Sequence, residues 1–129
     1  MPSAGLRSVL SKDANYAFGI TPWVPAARFK DQWFGDTGQF ASAYENKFGY
    51  APDYHVAAAV AAVQTFALAV EKAGTLDPKQ LRDAIARLGF ESVYGRVRFG
   101  ENGQIVLPQT VLQIQDGKLI EVSADKPVN

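Results

Sequence analysis

The sequence predicts an α/β fold in which helices are followed by C-terminal β-hairpins. Three observations predict it. Apolar residues recur at helical spacing between capping signals through the middle of the chain. The period changes to two from Ser92 onward, and an Asp116-Gly117 pair stands between two alternating runs. With 129 residues, 47% of them hydrophobic and 20% charged, the chain has the composition of a folded globular protein.

Residues 4–13 read as a short helix end, since Leu6, Val9 and Leu10 share one face. Tyr16 to Thr21 is aromatic and β-branched and reads as a strand. In Thr21-Pro22-Trp23-Val24-Pro25, both residues that precede a proline are pushed out of the α region. This predicts a stiff, extended crossing between structural units. Asp36 or Thr37 caps a helix to about Phe48, with Phe40, Ala43, Tyr44 and Phe48 as its apolar face and Gly49 as its stop. Asp53 caps a second helix that ends before Gly74. Asp77-Pro78 opens a third, with Leu81, Ala84, Ile85 and Leu88 as its stripe and Gly89 closing it.

From Ser92, Val93, Gly95, Val97 and Phe99 alternate with Tyr94, Arg96 and Arg98, and Asn102-Gly103 supplies a tight turn. Val106 to Gln115 and Lys118 to Val122 flank the Asp116-Gly117 hairpin turn, and the tail from Ser123 is expected to fray.

The helix after Asp53 carries apolar residues on every face, with only Gln64 and Thr65 polar between Val56 and Val70. Such a helix is covered all round, whereas a surface helix has one stripe. Burying Val56, Val60, Val63, Phe66, Leu68 and Val70 is worth about 9–18 kcal/mol before entropy is subtracted. That rivals the roughly 5–15 kcal/mol net stability of a whole domain. Cover from another chain, or from a longer polypeptide, is therefore expected, and self-association of this chain is one form it takes.

Several function classes are disfavoured. Thirteen basic residues balance thirteen acidic ones, so no field draws nucleic acid or anionic lipid. Cysteine is absent, which removes disulfides and thiolate chemistry. The single histidine, His55, builds neither a zinc site nor a nucleophile triad, and no G-x-S-x-G, G-x-G-x-x-G or phosphate loop occurs. Neither an enzyme nor a cofactor is expected. The apolar stretch falls short of the roughly 20 residues of a membrane span, so no membrane insertion is expected. The first residues lack the basic and apolar regions of a signal peptide.

Phe48-Gly49-Tyr50-Ala51-Pro52-Asp53-Tyr54, the Ala-rich helix ending Ala69-Val70-Glu71-Lys72-Ala73-Gly74, Leu81-Arg82-Asp83-Ala84-Ile85, Gly95-Arg96-Val97-Arg98-Phe99, Asn102-Gly103 and Gln113-Ile114-Gln115-Asp116-Gly117-Lys118 follow one another in order. This series resembles the C-terminal third of the branched-chain amino-acid type (Leu/Ile/Val-binding-protein-like) periplasmic solute-binding proteins of ABC transporters, from about Leu6 to Val122. The resemblance implies a fragment of a two-lobed, type I periplasmic-binding-protein fold, with ligand in the cleft between lobes. Residues 1–24 would then be a piece of the second lobe ending at a hinge crossing, 25–109 a piece of the first lobe, and 110–129 the second-lobe hairpin and tail. It implies a periplasmic or extracytoplasmic parent protein, a small solute and an ABC permease as partners, and hinge closure as the mechanism. A ligand-sensing regulatory domain of the same fold is the alternative.

Three residues are the candidate ligand contacts. Tyr54 and His55 open the central helix, where an aromatic face and the helix amides suit a carboxylated or aromatic solute. Trp23 at the crossing either walls the cleft or seals the hinge. The solute is an amino acid, an amide or an aromatic carboxylate.

Overall fold

The computed structural model describes residues 11–122; the expected helix over 4–10 and the expected frayed tail lie outside them. The chain forms two compact units. One is Trp23–Leu107, and the other is made of the segments on either side of it.

In the outer unit a 3₁₀ turn, Ser11–Ala14, leads into β1, Phe18–Thr21. The later strands β6, Thr110–Gln115, and β7, Lys118–Glu121, complete an antiparallel sheet of order β1-β6-β7. Asp116 and Gly117 both have positive φ, 49° and 75°, as the two-residue hairpin turn requires. Tyr16 bends the chain into β1 with φ of 66°, and its amide donates to Ile114 O at 2.7 Å. Directly opposed residues share a face. The register Phe18↔Gln113↔Ile120 and Ile20↔Val111 therefore sets Phe18, Ile20, Val111 and Ile120 on one face, all four exposed around a buried Gln113. Leu112 and Ile114 occupy the opposite, buried face.

The inner unit begins with a turn. The chain bends at Pro22, and Ala27 N donates to Val24 O at 2.9 Å to close a turn over Pro25 and Ala26. A small hairpin follows, β2 (Lys30–Asp31) and β3 (Gly35–Asp36), which the sequence did not announce. Helix α1 is Thr37–Phe48, α2 is Tyr54–Ala73 and α3 is Pro78–Ala86. Their caps follow the expected chemistry. Asp36, Asp53 and Asp77 accept from first-turn amides, Pro78 opens α3, and Gly49 and Gly74 end α1 and α2 in the left-handed conformation. Two boundaries differ. Arg87, not Gly89, caps α3, and Gly89 begins β4, Gly89–Ser92. On α1 only Phe40 of the expected face is buried; Tyr44 is half-buried, while Ala43 and Phe48 are exposed.

The alternation from Ser92 is present in burial, but the strand is interrupted. Strand β4 pairs with β5, Gly95–Arg98, across a two-residue turn at Val93-Tyr94. These are poor turn residues, and the fold supplies what they lack. Val93 N donates to Asp31 Oδ2 at 3.0 Å, Val93 O accepts from Trp23 Nε1 at 2.7 Å, and Ser92 Oγ bridges Tyr94 N and Gly95 O. Gly95 is required, with φ of 122° and a position where a Cβ would sit 3.1 Å from Leu107.

Helix α2 links two core clusters. Ala57 packs with Trp23, Phe40 and Val93, and Ala69 packs with Leu81, Ala84 and Leu88. The buried face of α2 is Ala57, Ala61, Gln64, Thr65 and Ala69, so its two polar residues point inward. Thr65 Oγ1 donates to Ala61 O, and Gln64 Nε2 donates to Asp31 Oδ2, both at 2.7 Å. Val63 and Phe66, for which cover from outside this chain is expected, are 70% and 54% exposed. The inward face was selected by small residues that allow close approach and by the Gln64–Asp31 pair. By length and composition α2 is long and apolar enough to cross a membrane. On its inward face Gln64 Nε2 and the Thr65 hydroxyl bond to protein partners, while Gln64 Oε1 is buried without one.

Asp31 receives four donors: the amides of Trp33, Phe34 and Val93, and the Gln64 side chain. Replacing it strands buried donors at about 1–3 kcal/mol each, whereas losing the exposed cap of Asp36 costs about 1 kcal/mol. In urea unfolding, Asp31→Ala is expected to lose at least twice the stability that Asp36→Ala loses. Equal losses would refute the central role of Asp31.

Candidate functional site

The three candidate residues do not form one surface. Trp23 is 1% exposed, its indole N–H is bonded to Val93 O, and its ring meets Phe40 edge-on at 6.5 Å. Within this chain it is a buried core anchor. Tyr54 and His55 do lie together. Their rings are 3.8 Å apart between centroids and tilted by 33°, at the start of α2. His55 is exposed, and Tyr54 is half-buried against the cluster of Trp23, Phe40, Ala57 and Val93.

Asp53 organises this helix start. Its Oδ1 accepts from His55 N at 3.0 Å and Val56 N at 3.2 Å, and its Oδ2 lies 3.3 Å from His55 Nδ1. The backbone carbonyl of Asp53 takes the amide of Ala57 at 3.2 Å. The helix amides that were expected to greet a solute carboxylate are thus already engaged with Asp53. Partial burial works to raise the Asp53 pKa, but the bonds from His55 and the helix amides outweigh it and hold it below the usual value.

Around this start stands a group of tyrosines that spacing alone does not reveal. Tyr44 and Tyr50 share a hydroxyl–hydroxyl bond of 2.8 Å with rings edge-on at 5.4 Å, and Phe48 lies 4.5 Å from Tyr44. The bond to Tyr50, with some loss of hydration and the nearby Asp53 charge, pushes the Tyr44 hydroxyl up to about 12. Tyr94 is also raised, by burial first and then by Tyr54 beside it. Six residues apart across a helix end, Tyr44 and Tyr50 meet only because Gly49 reverses the chain with φ of 79°. That glycine was the available signal.

Elsewhere, a shallow opening of about 300 Å³ is lined by Lys72, Ala73, Gln80, Asp83, Ala84 and Arg87. It sits at the other end of α2, which is about 30 Å long at 1.5 Å per residue, away from the Tyr54–His55 stack. Among the described residues no cluster of His, Asp or Glu has the grouping of a metal site. Arg96 and Arg98 are exposed on β5, with Arg96 Nε 3.8 Å from Glu91 Oε1.

A family model described as periplasmic binding protein matches residues 4–118. The chain belongs to that family. Periplasmic binding protein structures share its fold. A leucine-binding protein from Thermotoga maritima is 20% identical with a TM-score of 0.79, and the match covers 92% of this chain and 33% of that one. A solute-binding protein of an ABC transporter from R. palustris, in complex with benzoate, is 17% identical with a TM-score of 0.70, covering 92% and 32%. A leucine-, isoleucine-, valine-, threonine- and alanine-binding protein from Brucella ovis, in a closed conformation, is 19% identical with a TM-score of 0.73, covering 94% and 34%. This chain therefore spans about a third of the length of the structures it matches. Its fold is a fragment of the type I periplasmic binding protein fold.

The Tyr44–Tyr50 bond generates a pH test. A phenol whose folded pKa lies above its ordinary value of 10.0 favours the folded state below pH 10, and that contribution fades as pH rises toward about 12. Ultraviolet titration should show one tyrosine ionising near 12 that returns toward 10 in Tyr50→Phe. An unchanged titration curve would exclude the shared bond as the cause.

Proposed function

We propose that this chain is the C-terminal part of an extracytoplasmic solute-binding receptor of an ABC importer. The receptor takes up a small solute (an amino acid, an amide or an aromatic carboxylate), closes its two lobes about a hinge and docks on the permease. The observation that carries this reading is connectivity. Strands β1 and β6 are sheet neighbours, yet the whole of Trp23–Leu107 lies between them in the chain. One unit inserted into another through two proline-bearing connections, at Pro22 and Pro108, is what a hinged pair of lobes needs. In this reading Trp23–Leu107 is a piece of one lobe and the flanking segments are pieces of the other. Catalysis has no part in it. Solute contact falls to Tyr54 and His55.

In the complete polypeptide that carries this chain, L-leucine or benzoate is expected to raise the melting temperature, by about 2.7 kcal/mol of added stability at a hundredfold excess over Kd. Tyr54→Ala should weaken binding of the stabilising solute about tenfold or more. Unaltered affinity would remove Tyr54 from the site.

The open face of α2 is assigned to the remainder of the same polypeptide, with self-association as the competing outcome. Phe66→Ala should then cost about 3–5 kcal/mol in the complete polypeptide, against under about 0.5 kcal/mol in this chain alone. A large cost in this chain at monomer-only concentrations would show that its own residues cover Phe66.

A further inference from the structure

We infer that Asp53 sets the charge preference of the proposed site, turning the start of α2 from an anion-accepting helix end into one that repels carboxylates. The inference rests on the assignment of Tyr54 and His55 to the site. A bare helix start attracts anions because its amides are unpaired and its dipole is positive there. Here the amides of His55, Val56 and Ala57 all bond to Asp53, through its side chain or its own carbonyl. What remains outward is a carboxylate, with Oδ2 beside His55 Nδ1 at 3.3 Å. The hydrogen bonds that keep Asp53 below its usual pKa also keep it charged at neutral pH.

Among the described residues no lysine or arginine forms an ion pair with Asp53. His55 is mostly exposed, and the neighbouring side chains Tyr44, Tyr50, Tyr54 and Tyr94 are phenols. An arriving carboxylate meets a fixed negative charge, with the amides of His55, Val56 and Ala57 already bonded to Asp53. An uncharged apolar or aromatic body meets the Tyr54–His55 stack, and an ammonium group meets both aromatic faces and an anion. This end of the site therefore takes the uncharged or cationic portion of the solute, and a solute carboxylate is turned away from α2.

The test separates charge from capping. Asparagine and serine cap a helix about as well as aspartate but carry no charge. Asp53→Asn and Asp53→Ser, made in the complete polypeptide and shown to melt with the wild type, are titrated calorimetrically with benzoate and with L-leucine. Removing a like charge a few ångströms away in partly screened surroundings should improve benzoate binding about three- to tenfold, or create it where the wild type shows none. L-leucine, whose ammonium meets Asp53 while its carboxylate faces away, should gain nothing and bind about two- to fivefold more weakly. Benzoate binding neither gained nor tightened in both variants overturns the inference. Tyr54→Ala is the parallel control: if it leaves every solute unaffected, the site assignment falls and the inference with it. If Tyr54→Ala weakens binding while both Asp53 variants leave the benzoate-to-leucine ratio unchanged, only the role of Asp53 falls.

Discussion

The inner unit depends on one buried carboxylate. Asp31 holds the tip of its own hairpin through the amides of Trp33 and Phe34, reaches α2 through Gln64 and fixes the β4–β5 turn through Val93. Three segments distant in sequence thereby share a single acceptor. Bonds to a charged group are roughly twice as strong as neutral ones, and a buried charge is tolerated only when it is bonded this fully. The Val93 peptide is gripped from both sides, its N–H by Asp31 and its carbonyl by the indole of Trp23. The turn that places Tyr94 beside Tyr54 is thus held from outside by Asp31 and Trp23, in addition to Ser92 and Gly95 within it.

The same carboxylate explains the rotation of α2. Hydrophobicity alone would turn Val63 and Phe66 inward, yet they face out while Gln64 and Thr65 face in. The inward face needs a donor for Asp31 and small side chains against Trp23 and Leu81, and Ala57, Ala61, Gln64 and Ala69 provide both. Position along α2 then follows. Its start, with Asp53, Tyr54 and His55, rises beside the phenols of Tyr44 and Tyr94, while its end enters the second cluster with α3.

Local chemistry made much of this legible from sequence. Asp36, Asp53 and Asp77 as caps, Gly49 and Gly74 as stops and Asp116-Gly117 as a hairpin turn act within four residues of themselves, and their structural roles are the expected ones. What stayed hidden acts at long range. Asp31 in Asp31-Gln32-Trp33-Phe34-Gly35 carries the local mark of a side-chain-capped turn, but its bonds to Gln64 and Val93 span 33 and 62 residues. The break at Val93-Tyr94 was invisible because period-two alternation continues through a two-residue turn that tertiary bonds impose. Trp23 shows the same limit. A tryptophan between two prolines gives no local sign of its partner, and its buried bond to Val93 spans 70 residues.

The connectivity places a geometric demand on the inner unit. Thr21 and Thr110 are cross-strand partners, so the chain leaves the outer sheet and re-enters it at points about 5 Å apart. Trp23–Leu107 must therefore fold with its two ends close together, whatever happens between them. Closing so long a loop before any contact forms is entropically unfavourable, and long-range strand pairing is slow for that reason. The contacts of Trp23 answer this demand at one end. By bonding Val93 and packing on Phe40 and Ala57, it fixes the first residue of the inner unit to the interior of that unit. At the other end, Leu107 packs where a side chain on Gly95 would stand, next to Phe29. Both ends of the inner unit are thus anchored by its own core, so folding of that unit brings β1 and β6 into pairing distance. The buried ring of Trp23 thus serves closure of the chain by tying the start of the inner unit to that unit's own core.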